Sequence, residues 1–245
     1  MNDKQIEIYR YDKEAKKIID NIKYYKKVPE YLSIPHKYYF KLLQKFNKKK
    51  KLLEIGSGIS INTFRLIKMG FNVCATDISP LSVLVMKKRY SKYKAFSSKI
   101  ADMEKLPFKN KSFDIVCSAG SLSYGDNNKV INEIYRILKF GGGLVLVDSL
   151  NNNPIYRFNR YINYIKGNRS KSTLKRMPSI DLIEKYIKKF GYGKVKFFGS
   201  ITWAFPLLKI VLSQKLITKF SNWVDRKLKI KKSAFKFVLL LNKIK

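Results

Sequence analysis

The chain has 245 residues, 45% of them apolar, enough for one α/β domain with a sizeable core and some insertions. Its 52 basic against 17 acidic residues give a net charge of +35, which invites a nucleic-acid reading. Two cysteines without a CxxC pattern and a single His argue against a zinc site and leave Cys74 and Cys117 as buried free thiols.

The charge needs discounting. Of the basic residues 43 are Lys and 9 are Arg, and Asn, Ile, Tyr and Phe are abundant too, as in a coding sequence biased to A and T. Much of the charge therefore reads as a solvated surface. The opening MNDKQIEIYR lacks the apolar run of a signal peptide. The best bilayer-spanning candidate, around 203–220, is broken by Lys209, Gln214, Lys215 and Lys219. A cytoplasmic protein is expected.

In chain order, residues 12–28 and 36–47 read as two basic, aromatic-bearing helices separated by VPEYLSIP, whose prolines interrupt the pattern. KLLEIG is a short apolar strand, SINTFRLIKMG a helix closed by Gly70, and FNVCATD a second strand. SPLSVLVMKKRY is a helix opened by Ser79 with Pro80 at its first position. KAFSSKIAD and SFDIVCSAG give two more strands, NKVINEIYRILKFGGG an amphipathic helix with Leu138 on its apolar face, and LVLVDS a fifth strand. After Asp148 the pattern loosens, then gives a helix at about 179–190 and strands in KVKFFGS and AFKFVLLL. This alternation predicts a parallel sheet with helices on both faces, in a single domain with an N-terminal helical cover and a late insertion at 201–232. Ligands of such sheets bind beyond the carboxyl ends of the strands.

LLEIGSGIS, at 52–60, ends the first strand in an acid and two glycines. Gly56 and Gly58 permit a tight turn and close approach of a ligand to the backbone, in front of a helix whose free N–H groups point at it. Asp77, about 20 residues on, ends the second strand where an acid can accept both hydroxyls of a ribose. Glu54 stands where a pyrophosphate would be repelled and an amine or sulfonium favoured, which points away from a dinucleotide.

EIGSGIS, TDIS, ADMEKLPF, SFDIVCSAGSLSY and EIYRILKFGGGLVLVD, in this order between 52 and 148, resemble the class I S-adenosylmethionine-dependent methyltransferases, in particular the small-molecule group that includes quinone-ring methyltransferases. The resemblance implies a doubly wound, Rossmann-like seven-stranded sheet, mostly parallel with an antiparallel last strand, and S-adenosylmethionine as cofactor. It further implies that Glu54, Gly56 and Gly58 lie against the methionine part, Asp77 with Ile78 at the ribose, Asp102 with Met103 at the adenine, and Ser118 near the methyl group. Ser60 stands where many members have a third glycine. Each acid taken alone is equally an ordinary strand-end or cap residue, and Asp114 in SFDIV is assigned no chemistry.

Methyl transfer to a hydroxyl needs an aligned nucleophile, a base within reach and exclusion of water. His36, placed just before the second helix, is a candidate base beside Tyr124, Asp126 and Asp148. SAGSLSYG lacks the asparagine or aspartate followed by two prolines and an aromatic of amino-methylating nucleic-acid enzymes, and no RNA-binding module is appended. Nucleic acid is therefore not expected as a partner. Residues 151–176 carry four of the nine arginines, Arg157, Arg160, Arg169 and Arg176, and no acid. Guanidinium groups pair with phosphate or carboxylate, and with Asn153 and Tyr156 beside them they point to an anionic, hydroxyl-bearing acceptor. NNNPIYRFNRYI and GNRSKSTLKRMP also resemble, more loosely, methyltransferases of bacterial surface-polysaccharide synthesis.

The 201–232 insertion combines Trp203, Phe205, Phe220 and Trp223 with Lys209, Lys215, Lys219 and Arg226. It is expected either to touch an anionic membrane at the inner face or to pack as a lid or dimer contact. O-methylation of a free or lipid-linked sugar is the leading expectation. A quinone or lipid methyltransferase, and a noncatalytic nucleic-acid- or membrane-binding protein that kept the fold, are the alternatives.

Overall fold

The computed structural model describes residues 2–19, 30–59, 62–167, 170–228 and 230–244. The helices are α1 Asp3–Ile19, α2 Glu30–Gln44, α3 Thr63–Lys68, α4 Pro80–Tyr90, α5 Asn127–Ile137, α6 Pro154–Ile165, α7 Lys171–Lys175, α8 Ile180–Phe190, α9 Phe205–Val211 and α10 Gln214–Lys227. The strands are β1 Lys51–Ile55, β2 Asn72–Asp77, β3 Phe96–Ile100, β4 Phe113–Ala119, β5 Leu138–Ser149, β6 Gly191–Phe198 and β7 Lys236–Lys243.

All seven strands form one sheet in the order β3-β2-β1-β4-β5-β7-β6. β7 alone runs antiparallel to its neighbours, β5 and β6. The doubly wound, Rossmann-like class read from the sequence is the one observed, including the helical segment before the last strand. The central strands are apolar on both sides because helices cover both faces. Along β1, β4 and β5, Leu53, Val116 and Leu144 face α5 and α8, while Leu52, Ile115 and Val145 face α2, α3 and α4. One cluster thus gathers Ile131, Ile134, Ile183 and Phe190, and the other Tyr39, Leu43, Leu66 and Met86. The strand order reverses between β1 and β4, so a crevice opens at their carboxyl ends.

Three local readings need correction. α1 starts at Asp3, well before residue 12; the remainder of the expected first helix, 20–28, lies outside the described residues. Pro35 sits inside α2, and His36 with it, instead of ending the loop before a helix. Proline removes only its own N–H bond and crowds the preceding turn, a cost offset here by burial of Pro35, Tyr39, Phe40 and Leu43 on one side of the helix. Leu138 ends no helix. Its backbone is extended at φ −73, ψ 135, and it opens β5 opposite Phe113, so α5 passes directly into the strand. The segment after Asp148 is more regular than its composition announced, holding α6 and α7 capped by Asn153 and Ser170.

Candidate active site

Two glycines shape the floor of the crevice. Gly56 and Gly58 have φ of +61° and +53°, the left-handed region that glycine enters without strain. A Cβ on Gly56 would lie 2.4 Å from that of Ser121, in the loop after β4. The two loops approach that closely only because residue 56 has no side chain.

Asp77, buried at the end of β2, accepts the amide N–H groups of Gly58 at 2.7 Å and Ser79 at 2.9 Å. Burial raises its pKa, and the backbone donors oppose the shift. Glu54 lies beneath the loop. Its carboxylate accepts the Thr63 hydroxyl at 2.5 Å, and burial lifts its pKa to about 7. Glu54 is not among the residues lining the cleft.

The cleft has a volume of about 210 Å³. Gly56, Gly58, Asp77, Ile78, Asp102 and Met103 all line it, so the residues expected to meet the methionine, ribose and adenine parts converge on one cavity. Ser118 does not line it; buried behind, it shares a hydrogen bond with Ser121, which does. Ser60 lies outside the described residues.

The opposite wall is α1, whose cleft-facing residues are Lys4, Glu7, Tyr11 and Glu14. Lys4 Nζ donates to Asp102 at 2.5 Å and to Glu104 at 2.8 Å. Asp12 accepts the Ser79 hydroxyl at 2.5 Å and the Leu81 amide at 3.2 Å. Tyr11 meets Tyr124 edge to face at 5.4 Å, with the Arg10 guanidinium 4.9 Å and 5.2 Å from the two ring centres. Glu7, ion-paired with Arg10, also accepts the hydroxyls of Ser170 and Thr173 in and before α7. α1 is thereby bonded to the segments after β2 and β3 and to α7, and packs on the turn after β4. These four residues were missed in the sequence, although their spacing of three, four and three residues is that of one helical face.

Of the candidate bases, Tyr124 lines the cleft and His36 does not. Asp148 is buried and accepts the Leu122 amide at 3.0 Å and the Ser149 amide at 2.6 Å, bracing the 3-10 turn Leu122–Tyr124 from below. Burial raises its pKa, with Lys236 and Arg160 opposing. Asp126 caps α5 through the amides of Asn128 and Lys129.

The expected acceptor residues lie elsewhere. Arg157 and Arg160 line a separate open pocket of about 520 Å³ with Asn151, Phe158, Tyr161, Leu174 and Lys175. Arg160 Nη1 donates to the Leu150 carbonyl at 2.9 Å and to Asn151 at 3.1 Å. Asn153 caps α6 by accepting the Ile155 amide at 2.8 Å, and Tyr156 bonds Thr202 on the far side of that helix. α7 stands between the two pockets, bonded to α1 on one side and giving Leu174 and Lys175 to the arginine pocket on the other. Arg169 lies outside the described residues.

A family model described as "Methyltransferase domain" matches residues 53–146. An uncharacterized protein of Methanocaldococcus jannaschii is 37% identical over 107 residues, 43% of this chain and 44% of that one. A sarcosine/dimethylglycine N-methyltransferase of Aphanothece halophytica is 33% identical over 109 residues, 41% of this chain and 38% of that one. The chain thus spans less than half the length of these curated relatives. Among solved structures, phosphoethanolamine N-methyltransferase 2 of Haemonchus contortus, in complex with S-adenosyl-L-methionine, superposes with a TM-score of 0.60 at 19% identity, over 85% of this chain and 53% of that one.

Proposed function

We propose that the protein, whose residues 53–146 match a family model described as "Methyltransferase domain", is a class I, S-adenosylmethionine-dependent methyltransferase that methylates an oxygen of a small, hydroxyl-rich and anionic acceptor, a phosphate-linked sugar of surface-glycan synthesis. The residues present suit the cofactor: a glycine floor that a Cβ would fill, a buried acid at the end of β2, and Asp102 with Met103 at the cleft wall. S-adenosylmethionine supplies an electrophilic methyl on a sulfonium. The chain has then to hold the acceptor oxygen in line, take up its proton and keep water out.

One observation carries the choice of acceptor: residues 151–176 hold four arginines and no acid, and Arg157, Arg160 and Lys175 line one pocket. Guanidinium and ammonium groups gathered in this way suit a phosphate on the acceptor, which a quinone ring lacks. Tyr124, in the cleft, is the proposed partner of the reacting hydroxyl. His36 falls outside this role, and Asp148 would act by positioning the turn that carries Tyr124. A phosphate on the acceptor would extend past α7 to Arg157, Arg160 and Lys175. A lipid-linked acceptor would be met at a membrane surface, so contact with an anionic bilayer belongs to the same reading.

The test is methyl transfer from labelled S-adenosylmethionine to sugar phosphates, nucleotide sugars, free sugars and quinols. The expected result is transfer to phosphate-bearing sugars, with a raised KM in Arg157→Ala and a lowered kcat in Tyr124→Phe. Transfer to quinols alone would refute the acceptor assignment and leave the methyltransferase reading intact.

A further inference from the structure

Helix α9 turns its apolar residues outward. Leu207 is 67% exposed, Ile210 79% and Val211 84%. After the turn at Ser213, whose hydroxyl caps α10, that helix continues the display with Leu216, Phe220 and Trp223. α6 adds Ile155, while its exposed Phe158 and Tyr161 turn to the arginine pocket. α9 packs against α10, and α6 and the segment leading into α9 border a groove of about 460 Å³, lined from α6 by Ile155, Tyr156 and Asn159 and from the other side by Trp203, Phe205 and Lys209. Exposed apolar surface of this extent marks a place of contact.

Its charge selects the partner. No acid occurs between Asp148 and Asp181, and from 201 to 232 the one acid is Asp225. Its carboxylate is occupied by the amides of Gly199 and Ser200 and the Ser200 hydroxyl, at 2.7, 3.0 and 2.5 Å. Lys166, Lys209, Lys215, Lys219 and Lys227, on the same helices and their ends, are exposed. A second copy of the chain would set two such cationic rims against each other. Single-stranded nucleic acid stacks its bases on aromatic rings and would leave the aliphatic Leu207, Ile210 and Val211 unused.

We propose that the face formed by α6, α9 and α10 docks on an anionic phospholipid bilayer, with the apolar side chains entering the interface and the lysines on the headgroup phosphates. The proposal rests on the reading of a membrane-presented acceptor for its purpose and on the surface alone for its physics. Among the described residues no helix is long and apolar enough to cross a membrane, and a face of this kind lies on the bilayer instead.

Both tryptophans of the chain, Trp203 and Trp223, lie on this face, so intrinsic fluorescence reads docking directly. The full chain is mixed with vesicles of phosphatidylcholine alone and of phosphatidylcholine with phosphatidylglycerol, and S-adenosylhomocysteine binding is measured on the same samples. The expected result is cosedimentation and blue-shifted emission with the anionic vesicles only. Raised salt should weaken it, and the double variant Ile210→Asp, Val211→Asp should weaken it by roughly tenfold or more with nucleoside binding unchanged. Absence of cosedimentation with anionic vesicles, equal binding by the double variant, or a lipid-free dimer that hides both tryptophans would overturn it. Protein that binds S-adenosylhomocysteine but not vesicles loses the docking face and keeps the enzyme; the converse result loses the enzyme and keeps the face.

Discussion

The Asp77 carboxylate accepts the Gly58 amide at 2.7 Å, so the acid ending β2 and the loop following β1 form one hydrogen-bonded unit. Gly56, in that loop, is held against Ser121. Gly56→Ala combines a left-handed backbone with a collision and should cost about 2–4 kcal/mol. Gly120→Ala is the control, since Gly120 has φ of +83° but nothing within 4 Å of the added Cβ; it should cost about 1–2 kcal/mol. Denaturant unfolding of the two variants checks the difference.

Glu54 makes stability depend on pH. Its folded pKa of about 7 lies above its ordinary value of 4.5, so the folded state holds the proton more tightly. The associated stability is complete below about pH 4.5 and is lost as pH rises through about 7, on the order of 3 kcal/mol in all. The melting temperature of ligand-free wild type should therefore fall relative to Glu54→Gln across this interval, and thermal scans of both proteins read it.

Lys4 ties α1 to the wall of the cleft through Asp102 and Glu104. The pair is partly exposed, so Lys4→Ala should change global stability by no more than about 1 kcal/mol. Because α1 covers the bound nucleoside in this account, the same substitution should speed release of S-adenosylhomocysteine by up to about fivefold. Stopped-flow displacement measures the rate.

Cys117 is fully buried and Cys74 nearly so, and burial raises both thiols above their ordinary pKa. A disulfide reagent at mildly alkaline pH should label neither in the folded protein and both after unfolding. Rapid labelling of folded protein would contradict the packing of β2 and β4.

The sheet was legible because its information is local: apolar runs such as LLEI and IVCSA, and caps at Ser79 and Gly70, declare strands and helix ends without reference to distant residues. The glycine loop and Asp77 were legible for the same reason. What escaped was the cleft wall of α1, whose side chains there are polar and mixed in charge and so form no apolar stripe. Lys4, Glu7 and Tyr11 acquire meaning only when Asp102, Ser170 and Tyr124 come to meet them from far along the chain. The arginines after Asp148 were visible as a cluster, but α7, which separates them from the cleft, has five residues and weak periodicity. Pro35 misled because burial outweighed the missing N–H, a balance invisible in local pattern.

Calorimetric titration of S-adenosylmethionine and S-adenosylhomocysteine into wild type and Asp77→Ala tests the central claim most directly. The account predicts binding by wild type and its loss, by at least roughly 2 kcal/mol, in a variant that still unfolds cooperatively. Failure of well-folded wild type to bind either nucleoside, or undiminished binding by Asp77→Ala, would contradict the placement of the cofactor between the glycine loop and α1.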